Sequence, residues 1–132
     1  MALGMSEIDN CIFCETKNTG RVIDQSELSF VIRDAFPVTN GHTLIIPKRH
    51  VADYFDLTPT EMSDVQHLLR KHRDQLIAED NSVEGFNVGI NIGQAAGQTV
   101  FHVHIHLIPR RKKDVKDPRG GVRGVIPEKQ AY

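Results

Sequence analysis

Three of the seven histidines occupy alternate positions of the chain, as His102, His104 and His106. Alternate residues of a β-strand point to the same face of a sheet, so the three imidazoles are predicted to line one face. The residues between them are apolar and are predicted to enter the core on the other face. Core packing accounts for those apolar residues but gives no reason for aligned histidines. The pattern therefore predicts a site of chemistry.

Three imidazoles on one face indicate either a catalytic metal site or nucleophilic catalysis at phosphorus. The ligands of a zinc ion lie about 2 Å from it, which is awkward for His102 and His106 because they are separated along an extended strand. A cupin-like site would add a glutamate a few residues later, and residues 107–113 contain none. Neutral imidazole is a good nucleophile near pH 7, and its phosphoramidate is readily hydrolysed. The residues alone therefore leave two interpretations, nucleophilic catalysis and a metal-dependent hydrolase that uses all three histidines.

The elements that must position these residues are predicted from local patterns. A long helix begins at Thr58, which forms a capping box with Glu61 and has Pro59 at the first helical position. Apolar residues then recur at helical spacing, and the helix is expected to end near Asp80. Strands are predicted at 29–34, 43–47, 85–91 and 100–108, with a turn at 37–41. One helix among these strands predicts an α+β fold with a mainly antiparallel sheet.

Length and composition predict one ordinary domain, 1–132, because 39% of the residues are hydrophobic and 25% are charged. No apolar stretch approaches the ~20 residues of a membrane span, and residues 1–10 lack a secretory pattern. We therefore expect a cytoplasmic protein with no membrane partner. A formal net charge of -1 argues against a nucleic-acid partner. Seven basic residues between 110 and 123, opposed by two aspartates, form either a solvated tail or a basic rim that attracts a polyphosphate.

Residues 97–108, with the sequence GQTVFHVHIHLI, resemble the signature of the histidine triad (HIT) superfamily. The resemblance continues upstream through residues 41–50 (GHTLIIPKRH) and Asp34, so it covers most of a core that we place at 11–110. It implies a HIT-like fold of about five strands and one long helix, which dimerises into one continuous sheet. Residues 111–132 are interpreted as a basic, irregular tail.

Within that superfamily, the ending Ile108-Pro109-Arg110 is more similar to the dinucleoside polyphosphate hydrolase branch, which is fragile histidine triad-like and includes bacterial hydrolases, than to Hint-type phosphoramidases. Val103 stands where the galactose-phosphate uridylyltransferase branch has proline, which argues against that activity. The resemblance thus implies hydrolysis of a phosphoanhydride bond in a dinucleoside polyphosphate or a related adenosine nucleotide. The alternatives are a nucleoside phosphoramidate hydrolase and a nucleotide-binding regulatory module with low turnover. No organic cofactor is expected.

The resemblance implies catalytic roles for the triad and the residues before it. His104 would attack the α-phosphorus and form a nucleotidyl-histidine, which water then hydrolyses. His106 would donate to a non-bridging phosphate oxygen, and His102 would support His104 through its backbone carbonyl. Gln98 and Thr99 would hydrogen-bond the phosphates and the leaving group.

The resemblance also implies a set of nucleotide-binding residues. Asp34 would accept from the ribose hydroxyls, although a turn-forming aspartate that caps backbone amides is the alternative. Asn91 would lie beside the ribose and phosphate, and His42 close to the triad. The candidates for an apolar base slot, for which ordinary core packing is the alternative, are Ile12, Phe13 and Ile32.

Cys11 and Cys14 form a C-x-x-C motif, which in a reducing compartment is typical of a metal or redox site. The motif is similar to one that zinc-carrying members of the superfamily have near the N-terminus. The resemblance implies that His50 and His102 are the other two ligands. Two thiolates and two imidazoles would make a closed, tetrahedral structural zinc site.

Overall fold

A computed structural model describes residues 10–132 of the protein. The strands are β1 (Asp24–Gln25), β2 (Ser29–Arg33), β3 (Thr43–Pro47), β4 (Gly85–Gly89) and β5 (Ile105–Arg110). The α-helices are α1 (Ile12–Thr16) and α2 (Pro59–Glu79), and short 3₁₀ helices lie at Tyr54–Asp56, Gln94–Ala96, Gly121–Val125 and Pro127–Lys129. The five strands form one antiparallel sheet in the order β1-β2-β3-β5-β4. The predicted α+β class, with an antiparallel sheet and one long helix, is confirmed.

Helix α2 begins where local sequence chemistry predicts. The Thr58 hydroxyl accepts from the backbone N–H of Glu61 (3.1 Å), and the Glu61 carboxylate accepts from the backbone N–H of Thr58 (2.9 Å). This reciprocal pair confirms the capping box. Arg49 donates twice to the same carboxylate, which ties the start of α2 to the chain just after β3. The helix ends at Glu79, as predicted to within one residue, with Asp80 as its C-terminal cap.

Hydrophobic side chains pack on both faces of the sheet. The buried cluster on the α2 face comprises Val31, Ile45, Val51, Leu57, Val65, Leu68, Val103 and Ile105. The cluster on the α1 face comprises Cys11, Phe13, Cys14, Phe30, Ile32, Leu44 and Ile46. Leu44 pairs across the sheet with His106, and residues that pair across a sheet share a face. His106 therefore lies on the α1 face, away from the long helix.

The strand predicted at 100–108 is wrong at its start, because β5 begins only at Ile105. Before that residue, the ring of His102 reaches the backbone carbonyl of Pro47, with 2.7 Å between Nε2 and the oxygen. A side chain, and not the backbone, thus makes this contact with the end of β3. Only His106 lies in a strand, so the prediction that one strand aligns all three imidazoles is wrong.

The other predicted elements differ only at their ends. Strand β2 stops one residue before the predicted end at 34, and β4 stops two residues before 91. The turn at 37–41 is confirmed, and it ends at Gly41 with a φ of +94°, a conformation that favours glycine. The tail is largely irregular as predicted, with two short 3₁₀ helices. Within residues 10–132 no helix is long and apolar enough to cross a bilayer. Apart from Asn10, the N-terminal segment that we expect to lack a secretory pattern lies outside the described residues.

Candidate active site and metal centre

His104 is held in one orientation by the backbone. Its Nδ1 lies 2.9 Å from the carbonyl oxygen of His102, the contact that the resemblance implies. A carbonyl only accepts, so Nδ1 carries the proton and the neutral ring leaves Nε2 as a free lone pair. Phe13 packs its ring edge-to-face against His104, with 4.9 Å between centroids. The arrangement leaves one nitrogen of His104 able to act as a nucleophile.

His106 is oriented by a chain of two hydrogen bonds that ends on the backbone. The backbone N–H of Val38 donates to Nδ1 of His42 (3.0 Å), so a neutral His42 carries its proton on Nε2. That Nε2 lies 2.9 Å from Nδ1 of His106 and donates to it. His106 in turn carries its proton on Nε2, where it is available to an acceptor. Asp34 adds a carboxylate oxygen 3.5 Å from Nε2 of His42.

Both histidines of this chain are neutral near pH 7. Burial, followed by the neighbouring His104 and His42, lowers the pKa of His106 to about 4. Burial also lowers the pKa of His42, against the opposing effect of Asp34. Neutral rings are what the donor and acceptor assignments require, so the electrostatics and the hydrogen bonds agree.

A first cavity of about 290 Å³ opens beside His104. It gathers several of the predicted substrate-binding residues, namely Ile12, Phe13, Ile32, Asp34 and Thr99. Its wall also includes Arg21 and Phe36, which the sequence analysis missed. Arg21 donates to the backbone carbonyl of Arg33, and no motif around it could have marked it as a cavity residue.

Asp34 makes a turn bond and also lines a cavity. One carboxylate oxygen accepts from the backbone N–H of Phe36 (2.8 Å), as a turn-forming aspartate does. The other oxygen faces His42, and the side chain lines the first cavity. The turn bond therefore orients the carboxylate without excluding it from the cavity.

A second cavity of about 550 Å³ opens beside His106 and His42. Asn91 lines this second cavity, whereas Asp34 lines the first. Residues of the tail, including Val122 and Val125, form another part of its wall. The sequence analysis missed these tail residues because they lie in a segment without periodicity.

Gln98 uses its side chain to bond the backbone around it. Its side chain is buried, and its carbonyl oxygen accepts from the backbone N–H of Gly93 (2.9 Å). Its amide nitrogen donates to the carbonyls of Ala52 (2.8 Å) and Val100 (3.2 Å). The side chain thus supports the loop before the triad. A bond from it to phosphate stays a prediction and would require one of these contacts to break.

The four predicted metal ligands, Cys11, Cys14, His50 and His102, form one cluster in which all ligating atoms lie within 4.8 Å of one another. Nδ1 of His102 lies 3.6 Å from Sγ of Cys11 and 3.5 Å from Sγ of Cys14, whose Sγ lies 3.3 Å from Nδ1 of His50. A tetrahedron with metal–ligand bonds of 2.0–2.3 Å has edges of roughly 3.5 Å. The cluster therefore fits a zinc ion. Both cysteines are buried, and neither forms a disulfide with another described residue.

The backbone prepares His102 for this role. Its Nε2 donates to the carbonyl of Pro47 (2.7 Å), so the lone pair of the neutral ring is on Nδ1, the atom that faces the thiols. Burial lowers the pKa of His102 to about 4, and that of His50 is lowered for the same reason. Neutral imidazoles are the form that binds a metal.

The basic residues at the start of the tail are mostly paired. Arg110 bonds Asp114 at 2.8 Å, and Arg111 bonds Asp80 at 2.9 Å. Lys112 lies 3.6 Å from Glu84. The pairs of Arg111 and Lys112 attach the start of the tail to the end of α2 and to the residue before β4.

Comparison with known proteins identifies the family. The HIT domain model matches residues 15–113. The bis(5'-nucleosyl)-tetraphosphatase [asymmetrical] of Schizosaccharomyces pombe is 41% identical over 97 residues, which cover 74% of this chain and 53% of that protein. The bis(5'-adenosyl)-triphosphatase of Dictyostelium discoideum is 41% identical over 92 residues, which cover 70% of this chain and 61% of that protein. The chain thus spans less than two thirds of either enzyme.

Solved structures agree in fold. A HIT family protein from Bacillus anthracis is 43% identical with a TM-score of 0.73, covering 80% of this chain and 77% of its own. A Zn-bound histidine triad family protein from Mycobacterium smegmatis is 35% identical with a TM-score of 0.70, covering 82% and 80%. With the matched triad segment and this fold, the chain belongs to the HIT domain family.

Proposed function

We propose that this chain hydrolyses a phosphoanhydride bond of a dinucleoside polyphosphate, or of a related adenosine nucleotide, through a nucleotidyl intermediate on His104. The observation that carries the proposal is the bond from Nδ1 of His104 to the His102 carbonyl, which leaves Nε2 as a lone pair beside the first cavity. The names of the enzymes from S. pombe and D. discoideum support this substrate class.

In the first step, Nε2 of His104 forms a bond to the α-phosphorus while the bond from that phosphorus to the bridging oxygen breaks. The leaving phosphate departs with the bridging oxygen. The Nε2–H of His106 donates to a non-bridging oxygen, where charge accumulates in the transition state. Water then attacks the same phosphorus, breaks its bond to Nε2 and releases the nucleoside monophosphate.

The first cavity would hold the nucleoside that stays on the enzyme. Asp34 would accept from the ribose hydroxyls, and charge-assisted bonds of this kind are worth ~1.5–3 kcal/mol. Ile12, Phe13 and Ile32 would contact the base, and the Thr99 hydroxyl would donate to phosphate. Asn91 lies in the second cavity, so we assign it to the part of the substrate that leaves.

We also propose that Cys11, Cys14, His50 and His102 hold one structural zinc ion, because the distances and the donor types fit it. A bound zinc ion would cross-link α1 to the segments that contain His50 and His102. Since the carbonyl of His102 orients His104, this cross-link would also hold the nucleophile in place.

Dimerisation into one continuous sheet is a further part of the proposal. Strand β4 is an edge of the sheet and pairs only with β5 within the described chain. The exposed Val88 of β4 adjoins an apolar groove that it shares with Met62 and Leu69 of α2. Light scattering after size exclusion should give twice the chain mass, and Val88→Lys should shift it toward the monomer.

The experiment that tests the proposed chemistry compares His104→Ala with His67→Ala, since His67 lies exposed on α2 and away from both cavities. We expect His104→Ala to fold normally and to lose at least ~10³-fold in turnover, because no neighbouring imidazole can take its place. His67→Ala should retain full activity. Mass spectrometry of quenched wild-type enzyme should show a nucleotidyl adduct on His104.

An adduct on His102 or His106, or full activity of His104→Ala, would overturn the assignment. The assay should include diadenosine polyphosphates and adenosine phosphoramidates at equal concentration, with kcat/KM compared. A preference for phosphoramidates would replace the anhydride substrate but keep the nucleophile. No turnover on any of them, with retained binding, would favour a regulatory nucleotide-binding module.

A further inference from the structure

A third cavity, of about 360 Å³, reaches the predicted zinc ligands from the surface. Cys11 and His50 line it together with Ile12 and Phe101, whose side chains are each about half exposed. Cys14 does not line this cavity, and only 3% of it is exposed, against 9% of Cys11. A small solute therefore approaches the cluster from one side and meets the thiol of Cys11 before that of Cys14.

The two thiols are placed to bond to each other. Cys11 is the N-terminal cap of α1 and Cys14 lies in its first turn, where its backbone N–H donates to Sγ of Cys11 (3.5 Å). Both Sγ atoms belong to the cluster whose ligating atoms lie within 4.8 Å of one another. Residues three apart in a helical turn have Cα atoms roughly 5 Å apart, which a disulfide can span. The chain has no other cysteine, so an internal disulfide must join these two.

A peroxide is the class of oxidant that can form this bond without a further reactant. A bound zinc ion would hold both sulfurs as thiolates, which are the nucleophilic form. Sγ of Cys11 would attack one peroxide oxygen, so that the O–O bond breaks, a sulfenic acid forms and hydroxide leaves. Sγ of Cys14 would then attack that sulfur, forming the S–S bond and expelling a second hydroxide. The two thiolates lose two electrons, and the peroxide gains them.

We propose that Cys11 and Cys14 are a redox modification site, at which a peroxide converts the two thiolates to a disulfide and releases the zinc ion. The inference rests on the zinc site of the proposed function. The thiolates are two of the four ligands, and a disulfide sulfur has no negative charge with which to hold the cation. Only the imidazoles of His50 and His102 then remain as ligands, so the tetrahedral site is lost.

The disulfide does not replace the zinc ion as a cross-link. It closes a loop within one turn of α1, whereas the zinc ion joins α1 to the segments of His50 and His102. The oxidised chain should therefore melt at the lower temperature of the metal-free chain. His102 keeps its bond to the Pro47 carbonyl through Nε2, so the fraction that stays folded keeps its active site. Peroxide thus controls how much enzyme is folded, and a thiol reductant with zinc reverses the change.

The test treats zinc-loaded wild-type protein with hydrogen peroxide and needs no nucleotide. A chromogenic chelator measures the zinc released, peptide mapping measures the disulfide, and thermal denaturation measures the melting temperature. We expect about one zinc ion for each disulfide and a melting temperature lower by more than about 10 °C, both restored by dithiothreitol and zinc. Met62→Leu is the control for methionine oxidation, because Met62 packs on the α2 face and is the one methionine within residues 10–132. This variant should release zinc at the wild-type rate.

The outcomes separate this inference from the proposed function. Zinc that stays bound in peroxide-treated protein, or zinc released without a disulfide, would overturn the redox site and leave the zinc site in place. Protein that binds no zinc before peroxide is added would overturn both. The hydrolysis is tested independently by His104→Ala.

A matched pair of variants tests the order of attack. Cys14→Ser and Cys11→Ser each lose one thiolate of the zinc site. In Cys14→Ser no second thiol can resolve the sulfenic acid on Cys11, so a diketone reagent specific for sulfenic acids labels it. We expect at least about fivefold more label on Cys14→Ser than on Cys11→Ser, because Cys11 is the thiol that lines the third cavity. Equal label, or more on Cys11→Ser, would overturn the assignment of Cys11 as the thiol that the peroxide attacks.

Discussion

The two histidine clusters on either side of His104 use the same ring atoms in opposite ways. In the cluster of Cys11, Cys14, His50 and His102, Nε2–H of His102 donates to the Pro47 carbonyl, so the lone pair on Nδ1 faces the thiols. In the pair of His42 and His106, the backbone N–H of Val38 donates to Nδ1 of His42, and Nε2–H of His42 donates to Nδ1 of His106. The ring proton of His106 is therefore on Nε2. The first cluster collects lone pairs and suits a cation; the second presents a proton and suits an anion. In each cluster, one hydrogen bond to the backbone determines whether a lone pair or an N–H faces the site.

Removing a thiol tests whether the first cluster binds a cation, and it has the largest expected effect. We expect Cys14→Ser to lose most of the bound zinc and to melt more than about 10 °C below the wild type, because structural zinc binding is coupled to folding. The folded fraction should keep most of its kcat. Metal analysis and thermal denaturation measure the two effects, and an unchanged melting temperature in metal-free wild-type protein would rule out the site.

Changing His42 tests the second cluster. His42→Leu removes the N–H that donates to His106, so His106 can adopt the wrong tautomer. We expect kcat to fall by roughly 10²-fold, a typical cost of losing a preorganised donor. His42→Gln retains a donor and should recover part of the loss. If the two variants are equally impaired while both fold, His42 contributes packing and not proton placement.

The carboxylate of Asp34 lies beside the second cluster and also lines the first cavity. A substitution there tests whether this carboxylate binds the ribose. Asp34→Asn should weaken ribonucleotide substrates by roughly tenfold and leave the dideoxy analogue nearly unaffected. Parallel kcat/KM measurements on the two substrates distinguish a ribose ligand from a turn residue. A turn residue would lower stability and treat both alike.

Local signals explain what the sequence could predict. The start of α2 depends on Thr58, Pro59 and Glu61, which are neighbours in the chain, so its capping box is correct. The start of β5 depends on the contact of the His102 ring with Pro47, which is distant in sequence and follows no pattern of apolar residues. Strand periodicity therefore extended β5 too far toward the N-terminus.

The residues of the site also divide into those that the sequence predicts and those that depend on tertiary packing. The triad spacing marked His104 and His106 directly, and the resemblance brought in the zinc ligands and Asp34. Neither could show that Asn91 and Asp34 lie in separate cavities, since that depends on how β4 and the tail pack. The wall that Val122 adds to the second cavity depends on Gly120, where a Cβ would clash with the carbonyl of Gln130, a contact that no local pattern predicts.

The smallest expected effect concerns pH and again separates the clusters. Burial lowers the folded-state pKa of His106 to about 4, whereas an unfolded histidine titrates near 6.5. The unfolded chain therefore binds the extra proton first, and the stability that depends on neutral His106 is complete above about pH 6.5 and is lost as the pH falls toward 4.

Asn at this position cannot titrate. The free energy of unfolding of His106→Asn should thus vary less with pH than that of the wild type, by up to ~1.4 kcal/mol per pH unit. Denaturant titrations of both proteins at pH 5 and 7.5 measure this difference, and the zinc ligands cancel because both proteins contain them. An identical pH dependence would show that burial beside His104 and His42 does not keep His106 neutral.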